Sequence, residues 1–515
     1  MSDLYRGWTY HELNTAANLR YPERAAFVAH GREITGRESH RLESQMMQVL
    51  AERGLTRGRG LTALSTGRPE ALIAAAAALR LGAHYTPLAP AASAADHAFI
   101  LEDAKVAAVV YDPLVFGERT SELAELLPGT TFLSIGPGAV GEDLLVLAES
   151  LPEVPLENHA TSGDLALLHY TGGTTGRPKG VMLSHRALAY AAVTMYGEYE
   201  WPEVPRFLAS HPQSHTPLMA VRMRGGALVM QSAFDPDAFV AEIANSRCNC
   251  TLLVPAMIYD LLEDARHRNA LASLETVIYG GAPMSAARLA EAIESCGQIF
   301  MQWYSQTEAI HAVTMMRKAE HDPTRPERLA SCGRPVYGVD VEVHDEAERR
   351  LGPGEAGELC VRGPVVMDGY WRHPKLTAET LREGWLHTGD VATADEEGFL
   401  TIVDRRKDMI ITRGFNVYPS EIEFALEKHP GVSVAAVIGV PSDERGEDVA
   451  AFVVARPGAE LDERELIELV RREKGEFHVP RSVAVTDAIP LTPVGKPDKK
   501  ALRERFWAGR DRQVA

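Results

Sequence analysis

The stretch YTGGTTGRPKGVMLSH, residues 170–185, holds four glycines, three threonines, an arginine and a lysine within its first eleven residues. Glycine lets backbone N–H groups approach phosphate oxygens without a Cβ clash. The hydroxyls of Thr171, Thr174 and Thr175 add hydrogen-bond donors, and Lys179 adds positive charge. The stretch does not match G-x-x-x-x-G-K-[ST], the pattern of a Walker loop. It therefore predicts a polyphosphate-binding loop of a different kind.

The totals of the chain restrict the classes of partner. The 515 residues suggest roughly two to four domains. The formal net charge of −18 argues against nucleic acid and anionic membranes, because both attract faces rich in Lys and Arg. The N-terminus has no apolar targeting segment and no apolar run approaches ~18 residues, so we expect a cytoplasmic protein without a membrane span. The five cysteines have no repeating spacing, so we expect buried free thiols rather than disulfides or zinc ligands.

The first two thirds of the chain alternate helical and strand patterns. ALIAAAAALRLGAHYTPL predicts a helix that ends at Gly82 and then a short strand, and VAAVVYD predicts another strand. LALLHY predicts the strand before the quoted loop, and SHRALAYAAVTMY predicts a helix after it, with Ser184 as N-cap. ALVMQ, CTLLVP and TVIYGG predict further strands, each followed by a turn and a helix. This order indicates an α/β fold with parallel sheets.

The pattern changes near Gly333 and again near residues 406–408. VDVEVHD, GELCVRG and FLTIVDR are short alternating segments that predict a small antiparallel, barrel-like module. Beyond them, helix and strand patterns predict an α+β unit of about 100 residues, followed by a polar tail. We expect an N-terminal domain at 1–406, built of stacked αβ subdomains plus the barrel-like module, and a small α+β C-terminal domain at 407–515.

Several motifs resemble those of the adenylate-forming superfamily, which includes acyl- and aryl-CoA synthetases, peptide-synthetase adenylation domains and firefly-type luciferases. Besides the quoted loop, the resemblance is carried in family order by YGGAPMS (279–285), YSQTEA (304–309), GYW…GWLHTGD (369–390), DRRKDMIITRGFNVYPSEIE (404–423) and PLTPVGKPDKKALR (490–503). It covers essentially the whole chain. It implies that a carboxylate attacks the α-phosphate of ATP to give an acyl-adenylate and pyrophosphate. A thiol, usually that of coenzyme A, then displaces AMP.

The resemblance also implies roles for individual residues. The phosphates would meet Thr171, Gly172, Gly173, Thr174, Thr175, Gly176 and Lys179, while Gly280, Gly281, Ala282, Pro283, Tyr304 and Ser305 would surround the base. Asp390 would accept from the ribose hydroxyls and Arg405 would donate to them. Thr307 and Glu308 would meet the phosphates and Mg²⁺, with Glu308 as the metal ligand because a hard cation prefers carboxylate oxygen.

The C-terminal motifs imply a catalytic lysine on a moving domain. Lys496 would bridge the carboxylate and the α-phosphate, whereas Lys499 and Lys500 are interpreted as solvated lysines of the tail. Lys407 would be the hinge about which the small domain rotates between the half-reactions. That rotation would replace Lys496 with the loop at Arg413 and Gly414.

Two departures from the family pattern concern the acid. Ser305 stands where the family usually has glycine. HPQSH (211–215) resembles the segment in which His215 guards the acyl tunnel, but Ser214 replaces an aromatic residue and the helix after it is short. The trimmed helix suggests an open or unusually shaped pocket, for which a bulky acid is a candidate. The segment has no carboxylate to hold an amino group, which favours a non-amino acid. Met219, Met223, Met257 and Trp303 are candidates for an apolar lining.

The leading hypothesis is an acyl- or aryl-CoA ligase that uses ATP, Mg²⁺ and coenzyme A. The alternatives are a ligase that loads a carrier protein and a variant that performs mainly the thioesterification of a supplied adenylate. A luciferase-like oxygenase and a degenerate nucleotide-binding scaffold are two further classes, which light output and acid-dependent turnover would separate from a ligase. The sequence makes no prediction of the oligomeric state.

Overall fold

The computed structural model describes residues 7–90, 92–171, 178–210, 217–405, 408–412, 415–442, 446–492 and 496–507. The helices of this part are α1 Tyr10–Arg20, α2 Gly36–Glu52, α3 Pro69–Arg80, α4 Ala94–Asp103, α5 Pro113–Leu126, α6 Leu144–Glu149, α7 His185–Glu198, α8 Leu218–Met223, α9 Pro236–Asn245, α10 Pro255–Leu262, α11 Ala265–Leu271, α12 Ala286–Cys296, α13 Pro326–Leu329, α14 Pro374–Thr380, α15 Pro419–Glu427, α16 Glu463–Lys474 and α17 Lys499–Trp507.

The strands fall into four sheets. In chain order they are β1 Ala25–Ala29, β2 Arg32–Thr35, β3 Gly60–Leu64, β4 His84–Tyr85, β5 Val106–Tyr111, β6 Thr131–Ser134, β7 Glu142–Asp143, β8 Leu165–Thr171, β9 Lys179–Ser184, β10 Arg206–Ala209, β11 Ala227–Met230, β12 Cys250–Leu253, β13 Thr276–Gly280, β14 Phe300–Gln306, β15 Ala309–Met316, β16 Arg334–Pro335, β17 Asp340–His344, β18 Gly357–Arg362, β19 Gly369–Tyr370, β20 Leu381–Arg382, β21 Trp385–Ala394, β22 Leu400–Arg405, β23 Ile410–Thr412, β24 Phe415–Val417, β25 Val432–Ser442, β26 Gly446–Ala455 and β27 Ser482–Val485.

Two large sheets form the body of the protein. One has nine strands in the order β16-β15-β14-β13-β12-β10-β11-β1-β2, and the other has eight in the order β19-β9-β8-β4-β3-β5-β6-β7. Their central strands are parallel, as the alternation of helices and strands predicts. Residues of both sheets, such as Val181 and Ile278, lie in one continuous apolar core. The predicted α/β architecture is confirmed.

The two smaller sheets account for the rest of the chain. β17, β18, β20, β21 and β22 form an antiparallel five-stranded sheet, which is the predicted small module. β23 to β27 form a second five-stranded sheet, on which α15, α16 and α17 pack. The domain boundary at 406–408 stays a prediction, since residues 406 and 407 lie outside the described residues.

Two local predictions were wrong. The quoted loop does not run directly into a helix, because β9 intervenes and pairs antiparallel with β8. The segment that includes Lys499 is not a solvated tail but the start of α17, where the Lys499 ammonium lies 2.8 Å from a carboxylate oxygen of Glu423. Burial disfavours the charged form of Lys499, but the charges of Glu423 and its acidic neighbours outweigh that effect and raise its pKa.

Other local predictions are confirmed. Ser184 caps α7 by accepting the amide hydrogen of Ala187, and the five cysteines are buried free thiols. α8, which follows the HPQSH segment, has only six residues. Within the described part of the chain, we find no helix with the length and apolar character needed to cross a membrane.

Candidate active site

The quoted loop is held at both ends by the β8–β9 hairpin. Thr171 and Lys179 form the last pair of the hairpin, and the intervening residues 172–177 lie outside the described residues. Below this pair, the Tyr170 hydroxyl donates to a carboxylate oxygen of Asp103 at 2.5 Å. Burial and the Asp103 carboxylate both raise the pKa of Tyr170, so the phenol keeps its proton and remains a donor. The hairpin therefore presents Thr171 and Lys179 side by side from an anchored base.

The β14–β15 hairpin carries Thr307 and Glu308 in its tight turn. Gln306 and Ala309 pair on either side of the turn, so both residues project from the end of the nine-stranded sheet. The Met367 amide donates to the Glu308 carbonyl at 2.8 Å, which ties the turn to the segment before β19. The Glu308 side chain is half-buried.

Tyr370 connects this turn to the loop lysine. Its hydroxyl donates to Glu308 Oε1 at 2.8 Å, and the Lys179 ammonium lies 6.0 Å from the centre of its ring. Tyr370 lies on β19, which pairs with β9 and so joins the same sheet as Lys179. Burial and the Glu308 charge raise the pKa of Tyr370, which keeps it a donor. The predicted phosphate residue Lys179 and the predicted metal residue Glu308 thus meet around one aromatic ring.

Asp390 lies on β21 and contacts side chains of β14. Its side chain is 4% exposed, and its Oδ2 atom accepts from the Tyr304 hydroxyl and from Gln306 Nε2, each at 2.6 Å. Tyr304 and Gln306 reach the same carboxylate oxygen from either side of the irregularity in β14. Burial and the Asp390 charge raise the pKa of Tyr304 well above its usual value. Arg405, the other predicted ribose residue, pairs with Asp390 through the backbone of β21 and β22.

The predicted adenine segment starts where β13 ends. Gly280 pairs with Trp303 of β14, and a Cβ atom added at Gly280 would lie 2.3 Å from the Trp303 carbonyl oxygen. Gly281 has φ of +75°, in the left-handed region that favours glycine. Ala282 is half-buried and Pro283 is exposed. The small residues therefore reflect close packing of two strands as well as access for a flat base.

These contacts bring Lys179, Glu308 and Asp390 together from three different sheets. The path runs from Lys179 through the Tyr370 ring to Glu308, along the hairpin to Gln306, and on to Asp390. Ser305 is half-buried within β14, at the irregularity between Tyr304 and Gln306. The binding roles of these residues remain predictions.

These contacts do not join the other predicted site residues to Lys179, Glu308 and Asp390. Lys496 lies in a turn of the C-terminal unit, where its amide donates to Thr492 Oγ1 at 3.1 Å. Met219 and Met223 pack with Leu13 against α7, and Met257 lies in a separate core cluster, so core packing accounts for all three. Residues outside the described part of the chain include Gly172, Gly173, Thr174, Thr175, Gly176, His215, Lys407, Arg413 and Gly414.

Two residues of the site were missed by the sequence reasoning. Gln306 could have been found, because it lies two positions after Tyr304 within the YSQTEA motif. Tyr370 belongs to the GYW motif, but nothing in the sequence indicates that it reaches a residue 62 positions earlier. Only the pairing of β19 with β9 establishes that contact.

Comparisons with known proteins identify the family of the chain. The AMP-binding enzyme family model matches residues 5–371, and the model of the AMP-binding enzyme C-terminal domain matches residues 421–496. The chain belongs to the AMP-binding enzyme family. The predicted resemblance to the adenylate-forming superfamily is thereby confirmed, and with it the class of an ATP-dependent, AMP-forming acid–thiol ligase.

Individual members of the AMP-binding enzyme family resemble the chain over nearly its full length. A medium/long-chain-fatty-acid–CoA ligase, FadD8 of Mycobacterium tuberculosis, is 39% identical, and the alignment covers 99% of this chain and 93% of the FadD8 chain. A feruloyl-CoA synthase of Amycolatopsis is 35% identical, with 95% and 97% covered. The structure of the amide bond synthetase McbA from Marinactinospora thermotolerans matches with a TM-score of 0.86 and 36% identity, over 96% of this chain and 100% of that one.

Proposed function

We propose that this protein is an acyl-CoA synthetase that activates a non-amino carboxylic acid as its acyl-adenylate and transfers the acyl group to coenzyme A. The observation that carries the proposal is the continuous set of contacts joining Lys179, Glu308 and Asp390. A cation, a metal-binding carboxylate and a ribose-binding carboxylate in one region match the needs of a nucleoside triphosphate. Full-length similarity to a fatty-acid–CoA ligase and to a feruloyl-CoA synthase supports the acid and the thiol acceptor.

Asp390 would hold the ribose of ATP. A buried carboxylate attracts hydroxyl donors strongly, and hydrogen bonds to a charged acceptor are worth about 1.5–3 kcal/mol each. Tyr304 and Gln306 orient the Asp390 carboxylate by donating to its Oδ2 atom. Arg405, the second residue proposed to bind the ribose, lies opposite Asp390 on the paired strand β22. Gly280 to Pro283 would pass beside the base.

Lys179 and the loop before it would hold the phosphates. One unit-charge pair at ~4 Å with an effective dielectric of ~20 is worth about 4 kcal/mol, so a single lysine contributes substantially to holding pyrophosphate as it leaves. Thr171 and Thr307 would add hydroxyl donors. Lys496 would neutralise the charge that develops between the attacking carboxylate and the α-phosphate, a contribution typically worth roughly 3–4 kcal/mol.

Glu308 would hold Mg²⁺. Among the described residues, no group of three or more His, Cys, Asp or Glu side chains is arranged around a metal. This fits Mg²⁺, which is usually held by one or two carboxylates together with substrate phosphates. The Tyr370 hydroxyl donates to Oε1 of Glu308 and so orients the carboxylate. When bound, the ion would neutralise phosphate charge and align the triphosphate.

We further propose the boundary between the 1–406 domain and the 407–515 cap, with Lys407 as hinge. Among the described residues, contacts across that boundary include polar ones: the Ser420 amide donates to an Asp404 oxygen at 3.0 Å, the Ser420 hydroxyl donates to the Val403 carbonyl, and Arg456 lies 3.4 Å from Glu291. Such contacts are compatible with rotation, because interfaces of this kind separate at low cost. ATP and coenzyme A as substrates fit a cytoplasmic location.

The acceptor is the least constrained part of the proposal. The thiol of a carrier protein would use the same adenylate as coenzyme A. An amine is the second candidate, favoured by the 36% identity to McbA, which is described as an amide bond synthetase. A bulky acid remains part of the proposal because α8 is short.

A two-stage assay tests the function. A panel of alkyl and aryl acids is first screened by acid-dependent ATP–pyrophosphate exchange, and active acids are then offered coenzyme A, a phosphopantetheinylated carrier protein or a simple amine. We expect exchange with non-amino acids and a thioester with coenzyme A. Amide formed in preference to thioester would favour the second candidate, and no exchange with any acid would contradict adenylation altogether.

Lys496→Ala tests the catalytic cation in the same assay. We expect exchange to fall by about 10²–10³-fold, the usual cost of losing one well-placed donor. Lys500→Ala is the matched control, because it removes a lysine charge four residues further along the chain. Exchange that survives Lys496→Ala at the wild-type rate would remove Lys496 from the first half-reaction.

A further inference from the structure

A bulge in β21 carries the proposed ribose-binding carboxylate. The ladder between β18 and β21 passes from the Cys360–His387 pair directly to the Glu358–Val391 pair. One residue of β18 lies between these pairs, whereas three residues of β21, 388–390, lie between them. We call these three residues the 388–390 bulge. Bulges re-aim side chains and are common beside active sites, so this one sets the direction of the carboxylate at its end.

Side chains replace ladder hydrogen bonds at the two ends of the 388–390 bulge. The Thr388 hydroxyl donates to the Leu359 carbonyl at 2.6 Å and accepts from the Asp390 amide at 3.1 Å. Gln306 Nε2 donates to the Thr388 carbonyl at 3.1 Å. The first and last residues of the bulge are therefore tied to β18 and to β14.

Gly389, in the middle of the bulge, is held by the side chain of Glu358. Its amide donates to Glu358 Oε1 at 3.0 Å, so a carboxylate on β18 takes the place of a backbone partner. The φ of Gly389 is +70°, and a Cβ atom added there would meet nothing within 4 Å among the described residues. Close packing on that side therefore does not hold Gly389. A hydrogen bond from a backbone N–H to a carboxylate is charge-assisted and stronger than one to a neutral acceptor.

The other oxygen of Glu358 faces basic residues. Oε2 lies 3.0 Å from His387 Nδ1 and 3.7 Å from the Arg382 guanidinium, and the Glu358 side chain is half-buried. The positive charge of Arg382 offsets part of the repulsion that a second carboxylate near Asp390 would cause. Both oxygens of Glu358 thus have partners, which fixes the carboxylate as the support of a binding group requires.

We propose that Glu358 is a positioning residue for the nucleotide: by holding the Gly389 amide, it fixes the 388–390 bulge and directs the Asp390 carboxylate at the ribose hydroxyls. Glu358 itself would touch no substrate. A misplacement of about 1 Å at a binding group can cost about 10²-fold in rate, so a support of this kind affects turnover. This inference rests on the ribose role proposed for Asp390 and adds the residue that sets its direction.

Discrimination between ATP and 2′,3′-dideoxyATP measures how well the ribose hydroxyls are bound. The two nucleotides are compared by kcat/KM for pyrophosphate release, with an acid that is active in exchange. We expect the wild type to favour ATP by about 10²-fold or more, because a site that hydrogen-bonds hydroxyls rejects an analogue without them. Both values come from one protein sample, so the amount of folded enzyme cancels from the ratio. A merely structural role of Glu358 would therefore leave the ratio unchanged.

Three substitutions separate the hydrogen bond of Glu358 from its charge. Glu358→Gln keeps an oxygen that can accept from the Gly389 amide, Glu358→Asp keeps the charge on a shorter side chain, and Glu358→Ala removes both. We expect the ratio to fall by about tenfold or more in Glu358→Asp and Glu358→Ala and to stay within about threefold of wild type in Glu358→Gln. The loss should appear mainly in KM for ATP rather than in KM for the acid. Wild-type ratios in both Glu358→Asp and Glu358→Ala would overturn the inference.

Glu342 on the neighbouring strand β17 provides the matched control. Its carboxylate lies 2.9 Å from His344 Nε2 and 3.5 Å from Arg350, so it has a histidine and an arginine as partners, as Glu358 does. Glu342→Ala should leave the nucleotide ratio within about twofold of wild type, because substitutions without a shared partner act independently. An equal loss in Glu342→Ala and Glu358→Ala would overturn the specific role of the Gly389 contact.

The remaining outcomes separate this inference from the proposed function. If the substitutions at Glu358 prevent folding, hydrogen exchange of the Gly389 amide in the wild type decides: slow exchange supports the inference, and exchange at the rate of an unfolded peptide overturns it. Equal use of ATP and 2′,3′-dideoxyATP by the wild type would overturn the ribose role of Asp390, and the inference with it. Absence of pyrophosphate release with every acid would overturn the proposed function itself.

Discussion

Replacement of Gly280 by alanine tests the packing of the two strands that meet at the proposed adenine site. The added Cβ would lie 2.3 Å from the Trp303 carbonyl oxygen and 2.6 Å from both Cδ1 and Nε1 of its indole ring. The first distance is about 1 Å shorter than an ordinary van der Waals contact. The carbonyl belongs to β14, so it cannot move without moving the strand, and Tyr304 is the next residue along.

The expected magnitude follows from this overlap. Overpacking of a well-packed core costs about 1–3 kcal/mol, which in a large domain lowers the melting temperature by about 2–4 °C per kcal/mol. Displacement of β14 also moves Tyr304, whose hydroxyl bonds Asp390 at 2.6 Å. Since a misplacement of about 1 Å can cost 10²-fold in rate, we expect kcat/KM for ATP to fall by about 10–100-fold.

Steady-state kinetics with ATP as the varied substrate, together with thermal unfolding, measure both effects. Gly197→Ala is the matched control: Gly197 lies in α7, and a Cβ atom there meets nothing within 4 Å. We expect the control to retain its ATP kinetics and to gain slightly in stability, since alanine is the better helix former. If Gly280→Ala has the wild-type melting temperature and ATP kinetics, the close approach of β13 and β14 does not support the nucleotide site.

Three further predictions concern ionisable groups. Tyr370→Phe removes the donor to Glu308, so we expect the Mg²⁺ concentration for half-maximal exchange to rise by about three- to tenfold, and an unchanged requirement would contradict the orienting role. Burial lowers the pKa of His321 from 6.5 to about 4, so between these pH values the unfolded chain binds more protons than the folded one. The contribution of neutral His321 to the free energy of unfolding is therefore fully present above pH 6.5 and falls by about 3 kcal/mol towards pH 4. Thermal unfolding of the wild type and of His321→Phe at several pH values would check this, because the two should differ in their pH slopes. Burial and a neighbouring carboxylate raise the pKa of Glu427 to about 8, so Glu427 destabilises the folded protein increasingly as the pH rises from 4.5 to 8. Glu427→Gln should therefore raise the melting temperature at pH 8.5 and not at pH 4.5. An equal effect at both pH values would contradict this assignment.

Much of the fold follows from local patterns. Ser184 before an alanine-rich segment predicts the start of α7, and Gly82 after another predicts the end of α3, because capping and helix termination depend on neighbouring residues. β9 was missed because KGVMLS is too short and too mixed in character to signal a strand by periodicity. Its conformation depends on pairing with β8 and β19, which are distant contacts.

The residues of the candidate site also fall into two groups, those that local sequence patterns indicate and those that only distant contacts bring in. Thr171, Lys179, Glu308 and Asp390 could be named from the sequence because each stands in a motif that resembles one of the adenylate-forming superfamily, and their binding roles stay predictions. Tyr370 could not, because its partner Glu308 is remote in sequence and only the sheet order brings them together.

By itself the sequence determined the family and the alternation of helices and strands, and it named the groups that we propose for the nucleotide site, since these depend on residue types at short spacing. Tertiary structure alone decided which of those groups touch and that Lys499 lies half-buried against Glu423. The partners in these contacts lie on strands and helices far apart in the chain, and the way such elements meet depends on packing of the whole core rather than on any local pattern.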